Sequence, residues 1–173
     1  MDFPILVHPW ATVGEERMPK HNFMYSIGMP SETALAAGSL IFRGIFDKYP
    51  DIKICFAHGG GTLPYLLPRI DQAWEVCPHI RTTDQPPSNY AKKIYYGTLV
   101  YDQHNLQFML EKFGADHIII MGTDYPFLLR EAPSGNVVEM LENVLDEEKI
   151  KMLGENAIEF LGLNKASFIK ETV

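Results

Sequence analysis

Three residues of this chain stand where cation or proton chemistry could be done: His8, His58 and Asp124. Imidazole nitrogens and carboxylate oxygens are common ligands of divalent metals and common general acids and bases. Each of the three follows a short apolar run. Phe3-Pro4-Ile5-Leu6-Val7 ends at His8, Ile52-Lys53-Ile54-Cys55-Phe56-Ala57 ends at His58, and His117-Ile118-Ile119-Ile120-Met121 leads into Gly122-Thr123-Asp124. A lone histidine at such a point is usually a hydrogen-bonded structural residue, and an aspartate before Pro126 can serve an Asx turn. Three at equivalent positions point instead to one site. Gly59-Gly60-Gly61 follow His58 directly, which lets the backbone turn sharply and approach a ligand closely.

The runs that deliver these residues read as buried strands bounded by turn residues. A further strand, ending near Tyr101-Asp102, is expected where Ile94-Tyr95-Tyr96 and Leu99-Val100 flank Gly97. Between the strands lie helical patterns. Pro30-Ser31-Glu32-Thr33 opens a helix with Ser31 as N-cap and Glu32 in the first turn. Its apolar stripe is Leu35, Leu40, Ile41, Ile45 and Phe46, and Pro50 stops it near Lys48. Leu63 to Val76 reads as the next helix, carrying Arg69 and Asp71, with Pro68 expected to kink it or delay its regular part. His104 to Phe113 follows, with Gly114 as its C′ residue. Shorter helices are expected over Val137–Val144, Glu147–Leu153 and Asn156–Leu161, and Asn164 onward reads as a peripheral tail. Ala11 to Met29 reads as a long loop with one helical turn at most. It leaves directly from His8 and is expected to cover a substrate.

Strand and helix thus alternate four times, which implies a parallel sheet with right-handed crossovers. A complete (β/α)8 TIM barrel needs about 250 residues. This chain has 173, so the expectation is a single α/β domain over 1–173 that forms half a barrel. In such sheets ligands bind at the carboxyl ends of the strands.

Composition narrows the function classes. The net charge of −7 and the lack of a basic run argue against a nucleic-acid partner. No apolar run approaches the roughly 18 residues of a membrane span, and Met1-Asp2-Phe3 has no basic leader region. The two cysteines, Cys55 and Cys77, form no CxxC pair and are expected to be free thiols, which fits a cytoplasmic location.

Four motifs carry a family resemblance: Val7-His8-Pro9-Trp10, Met29-Pro30-Ser31-Glu32-Thr33, Phe56-Ala57-His58-Gly59-Gly60-Gly61 and Gly122-Thr123-Asp124-Tyr125-Pro126-Phe127. In this order and spacing the chain resembles the C-terminal half of the 2-amino-3-carboxymuconate-6-semialdehyde decarboxylase family of the amidohydrolase superfamily, over roughly Phe3 to Leu163. The resemblance implies a distorted (β/α)8 barrel holding one divalent metal, usually zinc. It implies that His8 and Asp124 are metal ligands, and that His58 is the acid/base on the metal-bound water. Asp124 would also shuttle a proton. Arg69 would bind the substrate carboxylate, reached across the interface of a homodimer. Read by itself, Trp10, close after His8, either lines the pocket or fills core. The implied activity is decarboxylation of a small unsaturated or aromatic carboxylate. Hydrolase or hydratase chemistry of the same family, or a non-catalytic oligomerising fragment, are the alternatives.

The family also uses a His-x-His pair on its first strand, and no His-x-His occurs here. The sequence is then either a fragment or a truncated product, and a strand starting straight after Met1 favours truncation. With two ligands from this half, zinc is expected to be held weakly.

Overall fold

The computed structural model describes residues 3–113 and 118–168. The expectations for Gly114 and His117 lie outside the described residues. Four strands form one parallel sheet in the order β1-β2-β3-β4: β1 Ile5–Val7, β2 Ile54–Phe56, β3 Tyr95–Gly97 and β4 Ile119–Ile120. The strands are short, and the ladder hydrogen bonds run one residue past them, with Ile5 N donating to the Lys53 carbonyl and Ala57 N to the Val7 carbonyl. The alternation is as expected: α1 Met29–Phe42 and α2 Ile45–Lys48 join β1 to β2, α3 Leu63–Val76 and α4 Pro87–Ala91 join β2 to β3, and α5 Gln103–Phe113 leads toward β4. The chain closes with α6 Asn136–Glu139, α7 Asp146–Ile150, a π turn over Lys151–Glu155, and α8 Asn156–Phe160.

The register sorts the side chains onto two faces. Val7, Phe56, Tyr96 and Ile119 align across the sheet. The last three are wholly buried against α1, α3 and α5, through residues such as Ile41, Leu63, Leu67 and Leu106. Tyr96 stacks on Phe113 with centroids 4.3 Å apart. This is the main core, and each such side chain stabilises the fold by roughly 1.5–3 kcal/mol. The opposite face carries Leu6, Cys55 and Tyr95, one register position away. There α8 lies against the sheet, with Phe160 4.9 Å from the Tyr95 ring. Asn156 Nδ2 donates to the Ile119 carbonyl at 2.7 Å, and Met121 N donates to the Met152 carbonyl at 3.0 Å, so this last segment is stitched to β4.

Several local expectations are corrected. Ser31 is not an N-cap: the helix begins at Met29, preceded by a π turn over Met24–Gly28, and Ser31 Oγ donates to the Ile27 carbonyl at 2.8 Å. Glu32 does sit in the first turn, where its carboxylate accepts from Val13 N. The helix expected to reach Lys48 breaks at Arg43, because Gly44 takes a left-handed conformation with φ 66° and starts α2. Leu35, placed on the buried stripe, is 55% exposed. Helix α3 has the expected bounds and runs on through Pro68. The loop from Ala11 holds a 3-10 turn over Glu15–Arg17 as well as the π turn. The helix expected over Val137–Val144 stops at Glu139. That expected over Glu147–Leu153 gives way to the π turn after Ile150.

Candidate metal centre

The carboxyl ends of the strands meet at one point. His8 follows β1, His58 follows β2 and Asp124 lies four residues beyond β4. One ligand atom from each lies within 4.8 Å of the others. His8 Nε2 is 3.2 Å and His58 Nε2 3.3 Å from the same Asp124 Oδ1, and the two imidazole rings meet edge to face at 4.8 Å. His8 and Asp124 come from the two margins of the sheet, so the sheet must curl to bring them together.

Local structure fixes each group. His8 Nδ1 donates to the Pro9 carbonyl at 2.8 Å. A carbonyl only accepts, so Nδ1 carries the proton and a neutral His8 turns the lone pair of Nε2 toward Asp124. A lone pair facing a carboxylate oxygen at that range is favourable only with a cation or proton between them. This donor arrangement fits a divalent metal. His58 has φ 53° and Asp124 φ 57°, left-handed conformations that aim both side chains inward from turns. The glycines after His58 are forced: Gly59 has φ 62°, and a Cβ there would meet Val100 at 2.6 Å. Below Asp124, Gly122 N donates to Thr98 Oγ1 at 3.1 Å, which locks the β3 and β4 ends together. Burial pushes the His58 pKa below its ordinary value, and this outweighs the opposing pull of the Asp124 carboxylate. His58 is therefore a neutral imidazole at pH 7.

A cavity of about 340 Å³ opens beside the three groups, with Leu6, Cys55, Ile120 and Phe160 in its walls. The other site candidates lie apart. Trp10 is 76% exposed, so it does not fill core, and it is not in the cavity wall. Arg69 projects from the exposed side of α3 and does not line the cavity either. Sequence reasoning missed the contribution of Phe160, which reads only as an apolar residue of a short terminal helix. It also passed over Tyr101, which continues an apolar strand pattern. Its signal is the positive φ, visible only in three dimensions.

A half-barrel sheet with a convergent His, His and Asp at its strand ends defines the carboxyl-end ligand face of a (β/α)8-type protein. The chain belongs to the amidohydrolase family, whose model matches residues 1–163. It is 38% identical over 167 residues to 2-amino-3-carboxymuconate-6-semialdehyde decarboxylase of Dictyostelium discoideum, an alignment covering 95% of this chain and 46% of that protein. Among solved structures it resembles 5-carboxyvanillate decarboxylase of Sphingomonas paucimobilis, with TM-score 0.79 and 24% identity over 93% of this chain and 50% of that one. The dihydroxybenzoic acid decarboxylase of Polaromonas sp. JS666, solved with bound manganese and the inhibitor 2-nitroresorcinol, aligns with TM-score 0.78 and 24% identity over 95% of this chain and 51% of that one. These structural likenesses show the fold: the four-stranded parallel sheet is part of such a barrel. The chain spans about half the length of the relatives it matches.

Proposed function

We propose that this chain carries the carboxyl-terminal half of the active site of a metal-dependent decarboxylase, acting on a small unsaturated or aromatic carboxylate. The observation that carries the reading is the convergence of His8, His58 and Asp124 within 4.8 Å. His8 Nε2 and the Asp124 carboxylate hold a divalent cation, zinc or the manganese found in the Polaromonas enzyme. When bound, such a cation acts as a Lewis acid and lowers the pKa of its water toward about 7. His58, kept neutral by burial, holds its proton at Nε2 against Asp124 Oδ1, 3.3 Å away, delivers it to the substrate carbon that bears the carboxylate, and regains one from water. The bond from that carbon to the carboxylate then breaks, CO2 leaves, and the electron pair stays with the newly protonated carbon. Asp124 orients the His58 imidazole and can relay its proton. The apolar cavity wall seats the planar body of the substrate.

Arg69, exposed on α3, serves the substrate carboxylate in the pocket of a partner subunit of a homodimer, where a bidentate guanidinium contact suits it. Trp10, two residues beyond His8, is the second substrate-binding candidate. Free thiols at Cys55 and Cys77 fit a cytoplasmic setting. Among the described residues no helix is long and apolar enough to cross a membrane.

The test is Mn²⁺ and Zn²⁺ binding followed by electron paramagnetic resonance and by metal analysis, on wild type and Asp124→Asn. Weak, substoichiometric binding is expected in the wild type, and loss of about tenfold or more in affinity is expected in D124N. A full equivalent of tightly held zinc overturns the two-ligand assignment. Equal affinity in both proteins overturns the site. CO2 release from 2-amino-3-carboxymuconate semialdehyde or dihydroxybenzoate is expected to be low in this chain.

A further inference from the structure

Among the described residues five non-glycine positions have positive φ, and three of these stand at the strand ends around the site: His58 at 53°, Tyr101 at 61° and Asp124 at 57°. Two of the three are candidate cation or proton-transfer groups. Tyr101 has no assignment. Its left-handed backbone persists only where the surroundings hold it, and its phenol shows what does. Tyr101 Oη donates to the Leu129 carbonyl at 2.7 Å, across 28 residues of sequence.

Leu129 belongs to the loop that starts at Asp124. The base of that loop is closed by Glu131 N donating to the Thr123 carbonyl at 2.9 Å. Its far end is fastened by the buried Glu131 carboxylate, which accepts from Gly135 N and Val137 N, each at 2.7 Å. Within it, Phe127 N donates to the Asp124 carbonyl at 2.8 Å. The loop gains little from packing: Phe127 is 55%, Leu128 101% and Leu129 49% exposed. With its side chains in solvent, its position depends on its hydrogen bonds, and the Tyr101 phenol reaches it midway from the end of β3.

We propose that Tyr101 is a positioning residue, whose phenol ties the loop 124–131 to the end of β3 and so fixes the Asp124 carboxylate against His8 and His58. The inference rests on the metal-site reading, and its test separates the two. Metal-free wild type and Tyr101→Phe are digested with limiting trypsin, and cleavage is followed at Arg130, the exposed residue after Leu129. The same proteins are titrated with Mn²⁺ by electron paramagnetic resonance. In Y101F, cleavage after Arg130 is expected to rise about fivefold while other tryptic sites are unchanged, and the Kd for Mn²⁺ is expected to rise about fivefold. Tyr101→Gly takes the positive φ without strain but lacks the phenol, so it is expected to match Y101F. Unchanged cleavage after Arg130 overturns the tie. Faster cleavage with unchanged Mn²⁺ affinity overturns the positioning of Asp124, as does wild-type behaviour of Y101G. A wild type that binds no Mn²⁺ removes the metal-site reading and with it the role toward Asp124, while the cleavage rates still report on the tie.

Discussion

Cys55 and Cys77 differ in what their surroundings allow. Cys55 sits in β2 under the site, and burial pushes its thiol pKa up to about 12. The thiolate is the reactive form, so Cys55 behaves as a small apolar wall of the cavity. A disulfide reagent at pH 8 is expected to modify the half-buried Cys77 promptly and Cys55 only as the protein unfolds. Two equally fast thiols in the native protein would contradict that. At this scale the sequence is a good guide where chemistry is carried by rare residue types. A histidine or aspartate ending a short apolar run stands out against its neighbours, and His8, His58 and Asp124 are found together. Tyr101 does not stand out, because a tyrosine after Leu99-Val100 looks like more strand. Nor does a sequence show that Arg69 and Trp10 lie outside the cavity, since their side-chain directions depend on how α3 and the loop after β1 are set against the sheet.

The elements are legible where one local signal dominates. Helix α3 runs from Leu63 to Val76 as its periodicity implies, and a proline in its second turn is absorbed without a break. Where signals compete the reading slips: Gly44 sits inside an apolar repeat that favours continued helix, yet its left-handed φ divides α1 from α2. The joint between β2 and α3 shows how tightly the elements are set. Gly61 has φ 62°, and a Cβ there would lie 2.0 Å from the Pro30 carbonyl oxygen at the start of α1. Gly38, in the middle of α1, has nothing within 4 Å of the same added atom. Gly61→Ala is therefore expected to destabilise the fold by about 2–4 kcal/mol, and Gly38→Ala to stabilise it by about 0.5–1 kcal/mol. Urea titrations read both, and a neutral G61A would refute the close approach of the β2–α3 turn to α1.

At the scale of the whole molecule the open sheet matters most. On its β1 margin Ile5 is 45% and Leu6 66% exposed, and Phe3, just before the strand, is 74% exposed. Unpaired apolar edges invite association. Sedimentation velocity at micromolar concentration is expected to find a dimer or larger species, and a stable monomer would count against it. Half a barrel is legible from the count of strand and helix units alone, because alternation and chain length bound the topology. The placement of α8 against the face of Leu6, Cys55 and Tyr95 is not, since a short apolar helix is compatible with either side of the sheet.

His8 and Asp124 hang from opposite borders of the same sheet and still come within 3.2 Å. Their gap is therefore a gauge of how strongly the four strands are arched. A substitution far from the pocket that relaxes the arch would open the pincer without touching either jaw. An ion seated there would act as a keystone, so that capturing the ion and holding the arch become a single equilibrium.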